Sequence, residues 1–287
     1  MRKLFFLFLA LVATTSLWAF EVDGIYYWIL SGKTNEVEVT FCGSLEYPCE
    51  NEYTGSVTIP PTVTYNGITY SVTSIGESVF DDCSSLTAIK VAEGNTVFDS
   101  REKCNALIHT ATNTLIRGCQ NTNIPNSVTS IQSDAFYGCS SLTSITIPNS
   151  VTNIGDGVFS GCSSLTSIVV AEDNMVYDSR EECNAIIETA TNTLIYGCHS
   201  TTIPSTVTSI GDKAFDRCES LAAITIPNSI QSIGYKAFSI CKSLKSIVIP
   251  DNITSIGKKV FRNCSSLIAI TIPDSVMSIG DEAFSGC

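Results

Sequence analysis

Histidine occurs only twice in the 287 residues, at His109 and His199, and lysine and arginine together occur 16 times. Scarce histidine and the lack of any C-x-x-C spacing argue against a zinc site. There is no G-x-S-x-G, H-E-x-x-H, P-loop or G-x-G-x-x-G pattern, and neither histidine recurs in an internal copy. The chain is therefore expected to be no enzyme and to need no cofactor. The 28 acidic side chains set the net charge at -12. With no basic run to offset them, nucleic acid and anionic lipid are poor partners. Charged residues make up 15% and hydrophobic ones 44%, the wrong balance for disorder. Long apolar runs are missing too. The longest, Leu4 to Val12, is too short to span a bilayer, so no membrane span is expected in the mature chain. Arg2 and Lys3 before this run and Ala19 after it read as a signal peptide over residues 1–19. Its removal would leave 28 acids against 14 bases. A secreted or cell-surface location is expected. No cysteine follows the cleavage point, so no lipid anchor is expected.

What the sequence has in quantity is repetition. Cys83, Cys139, Cys162, Cys218, Cys241, Cys264 and Cys287 are separated by 56, 23, 56, 23, 23 and 23 residues. One regular unit, Ser140 to Cys162, reads SSLTSITIPNSVTNIGDGVFSGC. Ile145 and Ile147 alternate with Ser144 and Thr146, the period of a half-buried strand. Pro148 ends it, since proline cannot donate to a ladder. Val151 and Ile154 belong to a second extended stretch. Val158, Phe159 and Cys162 are spaced like one helical turn, so a short helix or 3₁₀ turn is expected there. Burying the few apolar side chains of such a unit contributes less than ordering its backbone costs, so each unit must lean on its neighbours. That is the logic of a solenoid.

The units resemble the BspA-like (Treponema pallidum-type) leucine-rich repeats of surface and secreted proteins. The family pattern of Leu-x-x-Ile-x-Ile-Pro, then Ile-Gly, then Ala-Phe-x-x-Cys runs from about Ser71 to Cys287. The segments FEVDGIYYWI and TYNGITYSVTSIG resemble the caps of such proteins from gut Bacteroidetes. The resemblance implies an α/β, β-rich leucine-rich-repeat solenoid or horseshoe, with a parallel strand ladder and short helical or 3₁₀ turns. It also implies an exported binding or adhesion role toward a protein or glycan. A structural or self-assembling surface protein is the second reading. The domains expected are a signal peptide (1–19), an N-terminal cap (20–70) and a solenoid (71–287). The last residue falls on a unit boundary, so a C-terminally incomplete solenoid is expected.

The ladders carry further expectations. Phe80, Phe136, Phe159, Phe215, Phe238, Phe261 and Phe284 should form a stacked aromatic spine. Equivalent cysteines on parallel turns point the same way and stay near the ~4.8 Å turn spacing, too far for Cβ atoms to bridge. They should be reduced, buried, small apolar residues. Cys42 and Cys49 lie outside the repeat and are a candidate disulfide pair for the cap. Gly76, Gly155, Gly211, Gly234, Gly257 and Gly280 share one position, Gln132 replacing glycine in one unit, and a positive φ would explain them.

The outward strand positions should form a stripe of small residues. Ala88 and Lys90 begin it, followed by Ser144 with Thr146, Ser167 with Val169, Ala223 with Thr225, Ser246 with Val248, and Ala269 with Thr271. Lys258, Lys259 and Arg262 make a small basic patch. The two 56-residue spacings hold twin segments, Asp99 to Cys119 and Asp178 to Cys198, which differ at four of 21 positions. They read as one enlarged turn apiece, near residues 92–124 and 171–203, each with a β-hairpin around TATN. The Asp-Ser-Arg triplets are expected to make local turn and charge contacts. Of the differing pairs, Lys103 with Glu182, His109 with Glu188, and Arg117 with Tyr196 are the candidate ligand surface.

Overall fold

The computed structural model describes residues 19–41, 43–44, 47–48 and 53–287. Residues 1–18 of the expected signal peptide, and Cys42 and Cys49 of the candidate disulfide, lie outside the described residues.

The chain winds as a coil with three recurring sides. The first is a row of parallel strands from the Leu-x-x-Ile-x-Ile motif. Gly55–Ile59 pairs with Leu86–Val91, Ser144–Ile147 with Ser167–Val170, and Ser246–Val248 with Ala269–Thr271. Ser144 lies opposite Ser167, so each turn advances the register by one unit. A Pro-x-x-Val turn closed by Val151 N–H to Pro148 O (3.2 Å) carries the chain to the second side. This is a row of short parallel strands such as Ser130–Ile131 against Asn153–Ile154 and Ser255–Ile256 against Ser278–Ile279. Inward residues of both rows, among them Leu142, Ile147 and Val151, are fully buried, while those of the last turn are less covered, Ile279 being 53% exposed.

The third side carries phenylalanine and cysteine. Of the short helix or 3₁₀ turn expected there, the second is found, as successive i→i−3 turns, and the two short 3₁₀ helices, Arg101–Lys103 and Arg180–Glu182, sit in the enlarged turns. The reason is a left-handed residue at two fixed places in each copy. The first is Ser78, Asp134, Gly157, Lys213, Lys236, Lys259 or Glu282, and the second is Asp82, Gly138, Gly161, Arg217, Ile240, Asn263 or Gly286. Such residues stop a right-handed helix from propagating. They free alternate N–H groups to bond the next turn: Phe136 to Val158 O (3.0 Å), Phe215 to Ala237 O (2.7 Å) and Phe261 to Ala283 O (2.8 Å).

This also corrects the glycine reading, because none of the six shared glycines has positive φ. Close approach between turns accounts for Gly155, Gly234 and Gly280, whereas a Cβ on Gly257 would meet only ordinary contacts at 3.6 Å. A Cβ on Gly155 would lie 2.3 Å from Ser133 N, and one on Gly234 would lie 2.6 Å from Asp212 N.

The aromatic spine exists in stretches. Phe215, Phe238, Phe261 and Phe284 stack at 5.0, 5.5 and 5.5 Å, and Phe136 stacks on Phe159 at 5.4 Å. The thiols run beside it. Cys162, Cys241, Cys264 and Cys287 each donate to the carbonyl of the phenylalanine 26 residues earlier, at 3.0–3.3 Å. Among the described cysteines other than Cys83, none is in a disulfide, and all but Cys287 are buried. Burial pushes the Cys139 and Cys218 thiols up to about 12.

At the N-terminus a five-stranded sheet caps the coil. Phe20–Val22, Ile25–Ile29, Glu36–Thr40, Ile68–Ile75 and Thr62–Tyr65 lie side by side in that order. Only Glu36–Thr40 against Ile68–Ile75 is parallel. The first strand of the coil, Gly55–Ile59, lies within the stretch read as cap.

Each enlarged turn is a hairpin blade. Phe98–Asp99, Leu107–His109 and Thr114–Arg117 run antiparallel in the first, and Tyr177–Asp178, Ala185–Glu188 and Thr193–Gly197 in the second. The last strand of each then joins the second row in parallel, at Ser130–Ile131 and Ser209–Ile210. The blade is buried on both faces. Leu107 packs into the core before it, and Ala106 and Ile108 into the core after it. In the second blade Ile186 faces backward while Ala185 and Ile187 face forward.

Candidate functional site

The outward residues of the first row form the broadest repeated surface. Thr146, Thr225 and Thr271 are exposed, with Val169 46% and Val248 63% exposed in the same line. Parallel pairing in register sets this line, because Thr146 faces Val169 and Val248 faces Thr271 across the ladder. Lys90 is exposed at its start, but Ala88, expected beside it, is buried at 7%. Ala88 pairs with Ser56 next to a register shift between Gly55 and Ser56.

The nine candidate surface residues do not converge. They divide among the first blade, the second blade and the last two turns. Lys103 and Glu182 are exposed at the ends of the 3₁₀ turns, both with positive φ. His109 and Glu188 are half-buried near the hairpin tips. His109 Nδ1 lies 3.0 Å from Thr112 Oγ1, and Glu188 accepts from Thr191 Oγ1 at 2.5 Å, so the two serve the same local bond. His109 also meets Phe98 edge-on at 6.0 Å.

Arg117 and Tyr196 correct the sequence reading, being 6% and 5% exposed. The cause is that an enlarged turn has no third side. The chain passes from the second-row strand through Gly118 or Gly197 straight into the next first-row segment. Gly118 N–H bonds Ala135 O (2.8 Å) and Gly197 N–H bonds Ala214 O (2.9 Å), as a ladder phenylalanine would. A Cβ there would lie 2.1 Å from the Phe136 ring or 2.2 Å from the Phe215 ring. Arg117 and Tyr196 reach back into the space left open. Arg117 pairs with Asp81 and donates to Asp134 O, and burial pushes its pKa down. The Tyr196 hydroxyl donates to Gly155 O, its ring meets Phe159 edge-on at 5.6 Å, and burial pushes its pKa up.

The basic patch is neutralised by the following turn. Lys259 lies 3.4 Å and Arg262 3.1 Å from Glu282, and Lys258 3.9 Å from Asp281.

The Asp-Ser-Arg triplets make the local contacts expected of them. Arg180 binds Asp178 through Nε (2.9 Å) and Nη2 (2.6 Å) and reaches Asn192 at 3.0 Å. Arg101 does the same with Asp99 and Asn113. Burial opposes ionisation of Asp99, but the bonds from Arg101 prevail and hold its carboxyl below the usual value. Ser100 and Ser179 accept the N–H of Val91 (2.9 Å) and Val170 (3.0 Å) where the strand leaves the row. Ala171, in the place of the usual proline, donates to Ile147 O at 2.9 Å.

Two residues were missed by the sequence reading. Asn174 is buried and makes four bonds, donating to Pro148 O and Val151 O and accepting from Val176 and Tyr177, all at 2.9 Å. Asn95 does the same in the first blade, at 2.9–3.3 Å. The available signal was an asparagine three residues before an aromatic in both twins. Among the described residues, no three His, Cys, Asp or Glu side chains are grouped to hold a metal ion. No helix among them is long and apolar enough to cross a membrane.

Comparisons agree with this architecture. The profile of the BspA type leucine rich repeat region matches residues 61–112, 108–188 and 191–287, in six copies. A leucine rich cell surface protein from Faecalibacterium prausnitzii is 25% identical, with 94% of this chain and 86% of that one covered and a TM-score of 0.52. The T. pallidum leucine rich repeat protein is 20% identical over 93% of this chain and 88% of that one, with a TM-score of 0.36. The pneumococcal vaccine antigen PcpA is 17% identical over 91% and 77%, with a TM-score of 0.48. No curated protein sequence matches the chain. The chain belongs to the BspA type leucine rich repeat family.

Proposed function

We propose that the protein is an exported, non-enzymatic recognition or adhesion module that binds a protein or glycan through its repeat surface. The carrying observation is the exposed first-row line, where Thr146, Val169, Val248 and Thr271 present methyl and hydroxyl groups on parallel strands and Thr225 is exposed in the equivalent place of an intervening turn. It is wide and lacks charge, which suits contact with an extended partner. The cell-surface description of the Faecalibacterium prausnitzii relative supports the location. The Arg117 and Tyr196 burial and the paired Lys258, Lys259 and Arg262 argue for the strand face over the blades and the basic patch.

The test is an array of mucins, matrix proteins and purified glycans probed with the mature chain. Thr146→Glu with Thr225→Glu should lower binding at least about tenfold, about 1.4 kcal/mol. The same charges at exposed Asp156 and Asp212, on the third side, serve as the control when reversed to lysine, and should not alter it. A ligand that ignores both pairs would overturn the assignment to this face. The second reading, self-assembly, predicts concentration-dependent filaments with no ligand present.

A further inference from the structure

A cavity opens at the N-terminal end of the first row, beside Ser56 and Thr58. It is a cleft of about 730 Å³ between the first strand of the coil and the cap, within the ~300–1,000 Å³ range of ligand clefts. Two strands present unpaired edges to it. Gly55 N–H donates to Ser85 O, and Ile59 O accepts from Ala92, so these residues face the coil. Strand alternation then turns the backbone groups of Ser56 and Thr58 the other way. On the cap, Val72 N–H donates to Pro61 O, and Thr62–Tyr65 pairs with Ile68–Ile75 alone. The same alternation turns Thr62 and Thr64 outward. Ser56, Thr58, Thr62 and Thr64 all line the cleft, and their outward backbone groups have no backbone partner among the described residues.

Unpaired edges are normally protected, because they template pairing with another chain. Here the coil strand is only five residues long, Gly55–Ile59, and Pro60, which has no N–H, follows it. That leaves a short edge, able to take a short segment and not to extend a sheet without limit. The side chains around it are mostly hydroxyls, with Asp23 the one charged residue lining the cleft.

We infer that this cleft is a peptide site. A short extended segment of a partner polypeptide adds as a strand to Ser56–Thr58, with small polar side chains toward the threonines and a lysine or arginine beside Asp23. Strand addition of this kind draws affinity from main-chain bonds and specificity from alternate side chains. The site lies at the N-terminal end of the first row, apart from Thr146 and Thr225, and does not depend on them.

The experiment selects random dodecapeptides displayed on phage against the full mature chain, with counter-selection on Thr58→Pro. That proline deletes an N–H the ladder does not use, a change edge strands tolerate. Selected peptides, made synthetically, should carry a basic residue and bind Thr58→Pro at least about tenfold more weakly than wild type. They should bind Asp23→Asn more weakly as well. They should also slow amide exchange at Ser56 and Thr58 in the wild-type chain, a readout that does not rely on the variant's folding. Thr146→Glu with Thr225→Glu should leave this binding unchanged, which separates the site from the stretch of the first row that those residues occupy. The inference is overturned if no peptide depends on Thr58, or if Ser56 and Thr58 exchange is unaffected by bound peptide. It is also overturned if the selected peptides copy this chain's own sequence, since the occupant is then a second copy.

Discussion

Ile240 has a φ of 59°, a left-handed backbone that β-branched residues rarely adopt. The equivalent position holds Gly138, Gly161 and Gly286 in other copies. Ile240→Gly should therefore raise stability by about 1 kcal/mol, the left-handed strain less glycine's entropy, measured by urea unfolding. Asp216 is a second misfit. Burial raises its pKa, against the opposing pull of Ser239, Lys236, Arg217 and Lys213, and its Oδ1 has no hydrogen-bond partner among the described residues. A carboxyl with a raised folded-state pKa holds its proton more tightly when folded. Stability then falls as pH climbs from the ordinary value through the folded one. Asp216→Asn should melt higher than wild type at pH 7, and the gap should close below pH ~4. Phenylalanine and cysteine were legible at this scale because each recurs once per unit with a single cause, burial. The left-handed positions were hidden because Asp, Lys, Arg, Asn, Glu and Ile share them with Gly. Gly155, Gly234 and Gly280 were misread because their cause is contact with a different turn, which spacing within one unit does not show.

The enlarged turns explain themselves as elements. Their hairpins were readable from alternation around TATN, and the triplets Asp99 to Arg101 and Asp178 to Arg180 from their duplication. The lost third side was not readable, since it shows only when Gly118 and Gly197 are found bonded like ladder phenylalanines. The differences between twins therefore divide in two. His109→Glu and Lys103→Glu, which copy the second blade into the first, should change stability by no more than about 0.5 kcal/mol, the usual range for surface changes. Arg117→Ala strands Asp81 beside a buried space and should cost about 3 kcal/mol. Asn174→Ala leaves two carbonyls and two amides without their partner and should cost roughly 2–4 kcal/mol. Chemical denaturation of the four single variants checks all of these together.

Across the whole molecule, the apolar side chains form three cores, and the seams between them fall at the two blades. The thiols are sealed inside them. Protonated and buried thiols react slowly, so iodoacetamide should label Cys287 first in the native chain. The other described cysteines, Cys83 aside, should become reactive in denaturant, as peptide mass spectrometry would show. A repeat coil bonded only to its nearest neighbours is stabilised by the interfaces between them, and at each blade the phenylalanine stack gives way to glycine. The coil is consequently a series of three springs joined at weaker couplings. Pulled from its two ends, it should lengthen in discrete steps. Each step would release one core while the others stay wound, so a ligand held by an intact stretch could stay bound through the extension.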